Sequence, residues 1–203
     1  MTRPATIIAA GLALLVAAPA DAAPCRPKGS ETIVASSYAR LYFGRSGGAY
    51  ACVIRTGRRF KLRDDDQRLE GPGSDSGPPQ LVGKHAAYVV TEDIPATAFF
   101  RTLTVIDLKS GRREAVYEGN DDLGWGPGPF RLFYDGAVAW AGRAQTTPGT
   151  FDTVSEIWRY RPGAGETRLD SGPDVRTESF AVSADRTRIF WMNGDEPRSA
   201  TVR

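Results

Sequence analysis

A short β-branched and aromatic segment recurs four times along this 203-residue chain. The copies are Ala39-Arg40-Leu41-Tyr42-Phe43, Ala86-Ala87-Tyr88-Val89-Val90, Gly136-Ala137-Val138-Ala139-Trp140 and Thr187-Arg188-Ile189-Phe190-Trp191. Their last residues, Phe43, Val90, Trp140 and Trp191, are separated by 47, 50 and 51 positions. A second segment follows each copy: Ala49 to Ile54, Leu103 to Asp107, Glu156 to Tyr160 and Ala200 to Val202. A third follows in the first three units, at Gly57 to Leu62, Gly111 to Tyr117 and Gly165 to Leu169. Another precedes each copy: Glu31 to Ser36, Pro79 to Val82, Pro129 to Phe133 and Glu178 to Val182. All are bounded by Gly, Pro, Asp or Ser, which marks strands rather than helices. Helical periodicity is absent beyond the first twenty or so residues.

Four short strands per unit of ~40–50 residues is the spacing of a propeller blade. The expected architecture is all-β, an array of about four four-stranded antiparallel meanders over residues 31–70, 79–119, 129–171 and 178–203. Sheets with two apolar faces must stack to hide them, so neighbouring repeats pack side by side. About 15 strands exceed an immunoglobulin-like sandwich of ~7–9. The fourth unit stops in its third strand. The strand Glu31 to Ser36 is therefore a candidate to complete it and close a ring, the alternative being an open array.

Phe180-Ala181-Val182-Ser183-Ala184-Asp185-Arg186-Thr187-Arg188-Ile189-Phe190-Trp191 resembles the repeat of TolB-type, WD40-like propellers, in which an aromatic strand leads through Ser-x-Asp-Gly into an apolar one. Tyr134-Asp135-Gly136 matches that turn more closely, and Val105 to Arg112 resembles the following hairpin. The fourth unit departs from the pattern with Arg186-Thr187 in place of Gly, and no unit has the Trp-Asp pair of true WD40 repeats. The resemblance implies a β-propeller-like domain over most of Glu31 to Arg203.

The N-terminus reads as a signal peptide, residues 1–22. Arg3 precedes an uncharged apolar run from Ile7 to Ala18, and Ala20-Asp21-Ala22 places small residues where a signal peptidase reads. Cleavage is expected after Ala22, with Ala23 the near alternative. The run is short for a span, which needs ~20 residues. Cys25 is not a lipid-attachment site, because Pro24 stands where a small residue is required. The expected location is secreted or periplasmic, with no membrane span after cleavage. Export makes a Cys25–Cys52 disulfide the expected state of the two cysteines.

A net charge of +2 and 41% hydrophobic residues exclude a polybasic nucleic-acid binder and a disordered chain. The pairs Arg58-Arg59 and Arg112-Arg113 read as solvated hairpin turns. A single histidine, His85, beside a short turn, reads as a surface residue. GxSxG, HExxH, GxxxxGK[ST] and GxGxxG motifs are absent. Asp64-Asp65-Asp66 and Asn120-Asp121-Asp122 lack the alternating oxygens of a calcium loop. No metal and no cofactor is implied.

All long connections fall on one predicted face: Thr91 to Thr102, Gly142 to Ser155, Asp64 to Gly77, Glu118 to Gly128 and Asp170 to Thr177. Long loops on a rigid scaffold carry function. The candidate ligand-binding residues there are Glu92, Asp93, Asp121, Asp122, Trp125 and Arg143, accompanied by Phe99, Phe100 and Phe151. Rings beside carboxylates suit sugar or peptide recognition. Three readings follow: an exported, non-enzymatic binding module for an extracellular or envelope protein or glycan; a carboxylate-dependent glycan-active enzyme on the same face; and a half-propeller forming a homodimer through open sheet edges.

Overall fold

A computed structural model describes residues 25–64, 67–94, 98–120, 126–146 and 153–202. The predicted signal peptide lies outside them. The described residues form strands and turns with no helix. The first sheet runs β1 (Glu31–Ala35), β2 (Ala39–Phe43), β3 (Ala49–Val53) and β4 (Arg59–Lys61). The second contains β5 (Gln67–Leu69), β6 (Gln80–Val82), β7 (His85–Ile94), β8 (Ala98–Asp107) and β9 (Arg113–Asn120). The third runs β10 (Pro127–Leu132), β11 (Val138–Gln145), β12 (Thr153–Arg161) and β13 (Gly165–Gly172). The fourth has three strands, β14 (Val175–Val182), β15 (Arg188–Asn193) and β16 (Glu196–Thr201). All pairings are antiparallel. This is a propeller-like array of four blades.

The central strands bury both faces, which is why they read as unbroken apolar runs. Along β7, Ala86, Tyr88 and Val90 pack against the first blade with Leu41 and Leu62. Ala87 and Val89 point the other way, against Phe130 and Trp140 of the third blade. Along β11, Val138 and Trp140 face the second blade, whereas Ala137, Ala139 and Ala141 face the fourth with Ile189 and Trp191. Each blade is thus glued only to its neighbours, as in other repeat architectures.

Polar pins reinforce each junction. Arg58 donates to the Lys109 and Ser110 carbonyls at 2.9 and 3.1 Å, joining first blade to second. Gln80 donates to the Phe130 carbonyl at 2.5 Å and accepts from the Leu132 amide at 3.0 Å. It satisfies the free edge of β10 as a strand would. Arg186 adds a bond to the Leu132 carbonyl at 2.9 Å. Arg186 has φ 53°, a left-handed conformation that glycine takes more easily, in the turn where the repeat pattern has Gly. The inter-blade bond is what the arginine contributes there. His85 is buried and its Nδ1–H donates to the Tyr134 carbonyl at 3.1 Å.

Two sequence expectations are corrected here. His85 is an inter-blade pin instead of a surface residue, because Gly136 leaves room for its ring: a Cβ there would lie 3.0 Å from Nε2. Arg58 is exposed, as expected of a solvated turn, and also bonds the neighbouring blade. The segment Glu31 to Ser36 does not close a ring. β1 pairs with β2 alone, and β16 pairs with β15 alone.

The open ends differ. The outer face of the first blade is capped by the N-terminal segment through the Cys25–Cys52 disulfide, which buries Tyr42 between Cys25 and Tyr50. Arg40, only 5% exposed, fastens the cap by donating to the Cys25 carbonyl (2.6 Å), Ser30 Oγ (3.2 Å) and Thr32 Oγ1 (2.7 Å). The outer face of the fourth blade carries Phe190, 41% exposed. No helix of the described residues is long and apolar enough to cross a membrane.

Candidate functional site

The long connections expected from sequence are largely strand. β7 and β8 pair from His85↔Asp107 out to Ile94↔Ala98, so Thr91 to Thr102 is mostly the arms of a hairpin. β11 and β12 likewise pair from Val138↔Tyr160 to Gln145↔Thr153. Within Asp64 to Gly77, β5 pairs with the far half of β7 while β6 pairs with its near half. β5 therefore joins the second sheet, although residues 67–69 fall inside the unit 31–70 expected to form the first. A polar alternation extends these strands past the core, and sequence bounded by turn residues hid it.

At that end of the sheets a cleft opens between the second and third blades. It has two lobes that share Gly126, Gly142 and Arg143. The first, about 340 Å³, lies where the second, third and fourth blades converge, and is lined by Asp75, Arg101, Arg143, Thr177 and Glu178 around Gly128 and Pro129. The second, about 540 Å³, runs outward between β9 and β12, lined by Tyr117, Glu118, Trp140, Glu156, Trp158 and Glu166.

Glycines create this space. Pro127 pairs with Gly142 and the register then shifts before Phe130, so Gly126-Pro127-Gly128-Pro129 passes directly over β11. A Cβ on Gly128 would sit 2.8 Å from the Ala141 carbonyl oxygen. Gly142 stands opposite Glu156, two pairs beyond Trp140↔Trp158 and on the same face, and its missing side chain leaves the groove above the aromatic row.

That row crosses the whole third blade: Phe130, Trp140, Trp158 and Arg168 are successive cross-strand partners. Phe130 and Trp140 are buried, Trp158 half-buried and Arg168 exposed. The Arg168 guanidinium lies 5.9 Å from the Trp158 ring centre, and Tyr117 meets Trp140 edge-on at 6.2 Å. Glu156, 6% exposed, holds the row. Its Oε2 accepts from Trp158 Nε1 at 2.8 Å, and its Oε1 accepts from Arg168 Nη1 at 2.9 Å. Both oxygens are committed. Desolvation raises the Glu166 carboxyl above its ordinary value.

Of the residues expected from sequence, Arg143 is exposed and lines both lobes. Glu92 is half-buried on β7, opposite Gln67 and Phe100, and lines neither lobe. Asp93 pairs with Phe99 in the same hairpin. Asp121, Asp122, Trp125 and Phe151 lie outside the described residues. Sequence reasoning missed Trp158, Glu156, Tyr117, Asp75 and Arg101 as cleft residues. The spacing of Glu156 and Trp158, two apart on one strand, places both on one face and was the available signal.

No family model matches this chain, and no curated protein does. Among solved structures it is similar to the β-propeller domain of the Trilobed protease from Pyrococcus furiosus, at TM-score 0.43 and 18% identity over 63% of this chain and 34% of that one. It is also similar to the tricorn protease, at TM-score 0.34 and 9% identity over 78% of this chain and 24% of that one. An oligogalacturonate lyase in complex with manganese follows at TM-score 0.28 and 11% identity, over 76% and 55%. This chain thus spans about a third or less of the first two.

Proposed function

We propose that this protein is an exported, non-enzymatic binding module related to TolB-type propellers, and that its two-lobed cleft receives an extracellular or cell-envelope ligand. One observation carries the reading: a cleft combining aromatic rings, guanidiniums and carboxylates has its aromatic wall and most of its charged lining on paired strands. Such a wall is pre-organised, so little ordering cost is paid on binding. The disulfide and the apolar N-terminus support export. The commitment of both Glu156 oxygens favours binding over catalysis, since a catalytic carboxylate must exchange protons with substrate or attack it.

The test is retention of labelled envelope glycans and peptides by the purified protein, with the same pools followed for cleavage. Retention without cleavage is expected. Ala144→Trp, which fills the outer lobe from β11, and Arg143→Glu should each abolish retention while leaving the thermal midpoint within a few degrees. Cleavage of any pool, or retention indifferent to both variants, would overturn the reading.

A further inference from the structure

Asp75, Arg143 and Glu178 share the inner lobe, yet none of the three side chains makes a hydrogen bond or ion pair among the described residues. They come from three blades: Asp75 from the β5–β6 connection, Arg143 from β11 and Glu178 from β14. Arg101 of β8 lines the same lobe. Asp75, Arg143 and Glu178 thus bring charges of both signs to one cavity from three separate segments without pairing to one another. Opposite charges free to pair on a surface do so at little cost or gain. Held unpaired on separate segments, they match a ligand that carries both signs at a fixed separation.

Resting on the binding reading above, we infer that the ligand is a short peptide with a free carboxylate and a cationic amine, its carboxylate facing Arg143 and its amine facing Asp75 and Glu178. A guanidinium pairs with a carboxylate through two parallel N–H···O bonds, which a neutral sugar hydroxyl cannot reproduce. The balance of the described lining residues points the same way. Among them Asp75, Glu178, Glu118 and Glu166 oppose Arg101 and Arg143, four negative charges against two, with Glu156 already paired to Arg168. That field disfavours an acidic polysaccharide and favours a ligand of zero or positive net charge. An inner lobe of about 340 Å³ lies at the small end of the range of ligand pockets, which suits a short ligand.

The experiment is calorimetric titration of the purified protein with Ala-Lys-Ala, with its C-terminal amide, with its fully N-acetylated form, and with chitotriose. Ala-Lys-Ala should bind. Amidation and acetylation should each weaken binding about tenfold or more, the cost of losing a charge-assisted contact. Arg143→Gln should weaken the free acid by about the same factor and leave the amide unchanged, and Glu178→Gln should do likewise for the free amine against the acetylated form. Both positions are exposed, so both variants should fold. Equal binding of acid and amide, or an Arg143→Gln effect that is the same on both, would overturn the inference. Binding of chitotriose alone would overturn it too, while leaving the cleft as a binding site. Absence of binding by all four probes would also refute it, and the envelope-library screen would then decide separately whether the cleft binds anything.

Discussion

Trp140 and Trp158 stand directly opposite each other on β11 and β12, their ring centres 6.1 Å apart and their planes 7° from parallel. Trp140 is sealed in the core while Trp158 reaches the cleft, so the pair couples the packing of two blades to the wall of the candidate site. Glu156 fixes the outer ring by accepting from its indole N–H.

Removing that acceptor should cost stability. Glu156→Ala leaves the Trp158 N–H and the Arg168 guanidinium without their partner, and a loss of about 1–3 kcal/mol is expected. Glu156→Gln, which keeps one acceptor, should cost less. Urea unfolding followed by tryptophan fluorescence separates the two, and equal costs would show that the bonds contribute nothing.

The inter-blade pin at Gln80 invites a similar comparison. Gln80→Ala strips partners from the Phe130 carbonyl and the Leu132 amide at once, for an expected ~1–3 kcal/mol. Gln80→Glu restores only the acceptor half and should recover part of the loss. Amide hydrogen exchange at Leu132 should accelerate in Gln80→Ala and much less in Gln80→Glu, whose carboxylate still accepts from that amide.

Burial, followed by the neighbouring Lys84 charge, holds the His85 pKa below its ordinary value, against the opposing pull of Asp107 and Asp135. The unfolded chain therefore takes up a proton on this residue at a higher pH than the folded one. Its stabilisation is complete above the unfolded pKa of ~6.5 and declines as pH falls below it. The thermal midpoint should drop between pH 7.5 and 5, and less steeply in His85→Asn, whose amide still donates to Tyr134.

The disulfide replaces a missing neighbour at the first blade. Closing a loop over a sequence separation of 27, it should contribute roughly 3.5 kcal/mol. Cys25→Ser/Cys52→Ser should lower the midpoint accordingly and expose Tyr42 and Tyr50 to a hydrophobic dye. Mass analysis of the protein made in an oxidising compartment should find no free thiol.

Self-association through β16 should be weak. Pro197 presents no N–H on that strand, and the Thr201 carbonyl is taken by Arg159 Nη1 at 2.7 Å. Sedimentation should show a monomer; a stable dimer would revive the half-propeller reading.

Much of this architecture was legible before any coordinates. Runs such as Ala86 to Val90 and Gly136 to Trp140 carry apolar side chains at every position, which only a sheet covered on both sides can hide. Their spacing then sets the number of blades, and the cysteine count together with the apolar N-terminal run points to the Cys25–Cys52 disulfide. Less legible were the strand extensions, since polar residues such as Glu92 and Arg143 leave the core while the ladder continues beneath them. Backbone pairing costs a side chain nothing, so hydrophobicity does not report where a strand stops.

What the chain decided by itself is the repeat, its β character and the disulfide, because these depend on local preference and on counting. Which residues meet was decided only by the tertiary structure. Arg143 and Glu178, or Tyr117 and Trp158, come together because sheets twist and stack, and those approaches depend on register shifts and on glycines such as Gly128 and Gly142 that let one strand cross another. Contacts between blades join residues whose separation in sequence carries no periodic signal, so the cleft exists only in the assembled array.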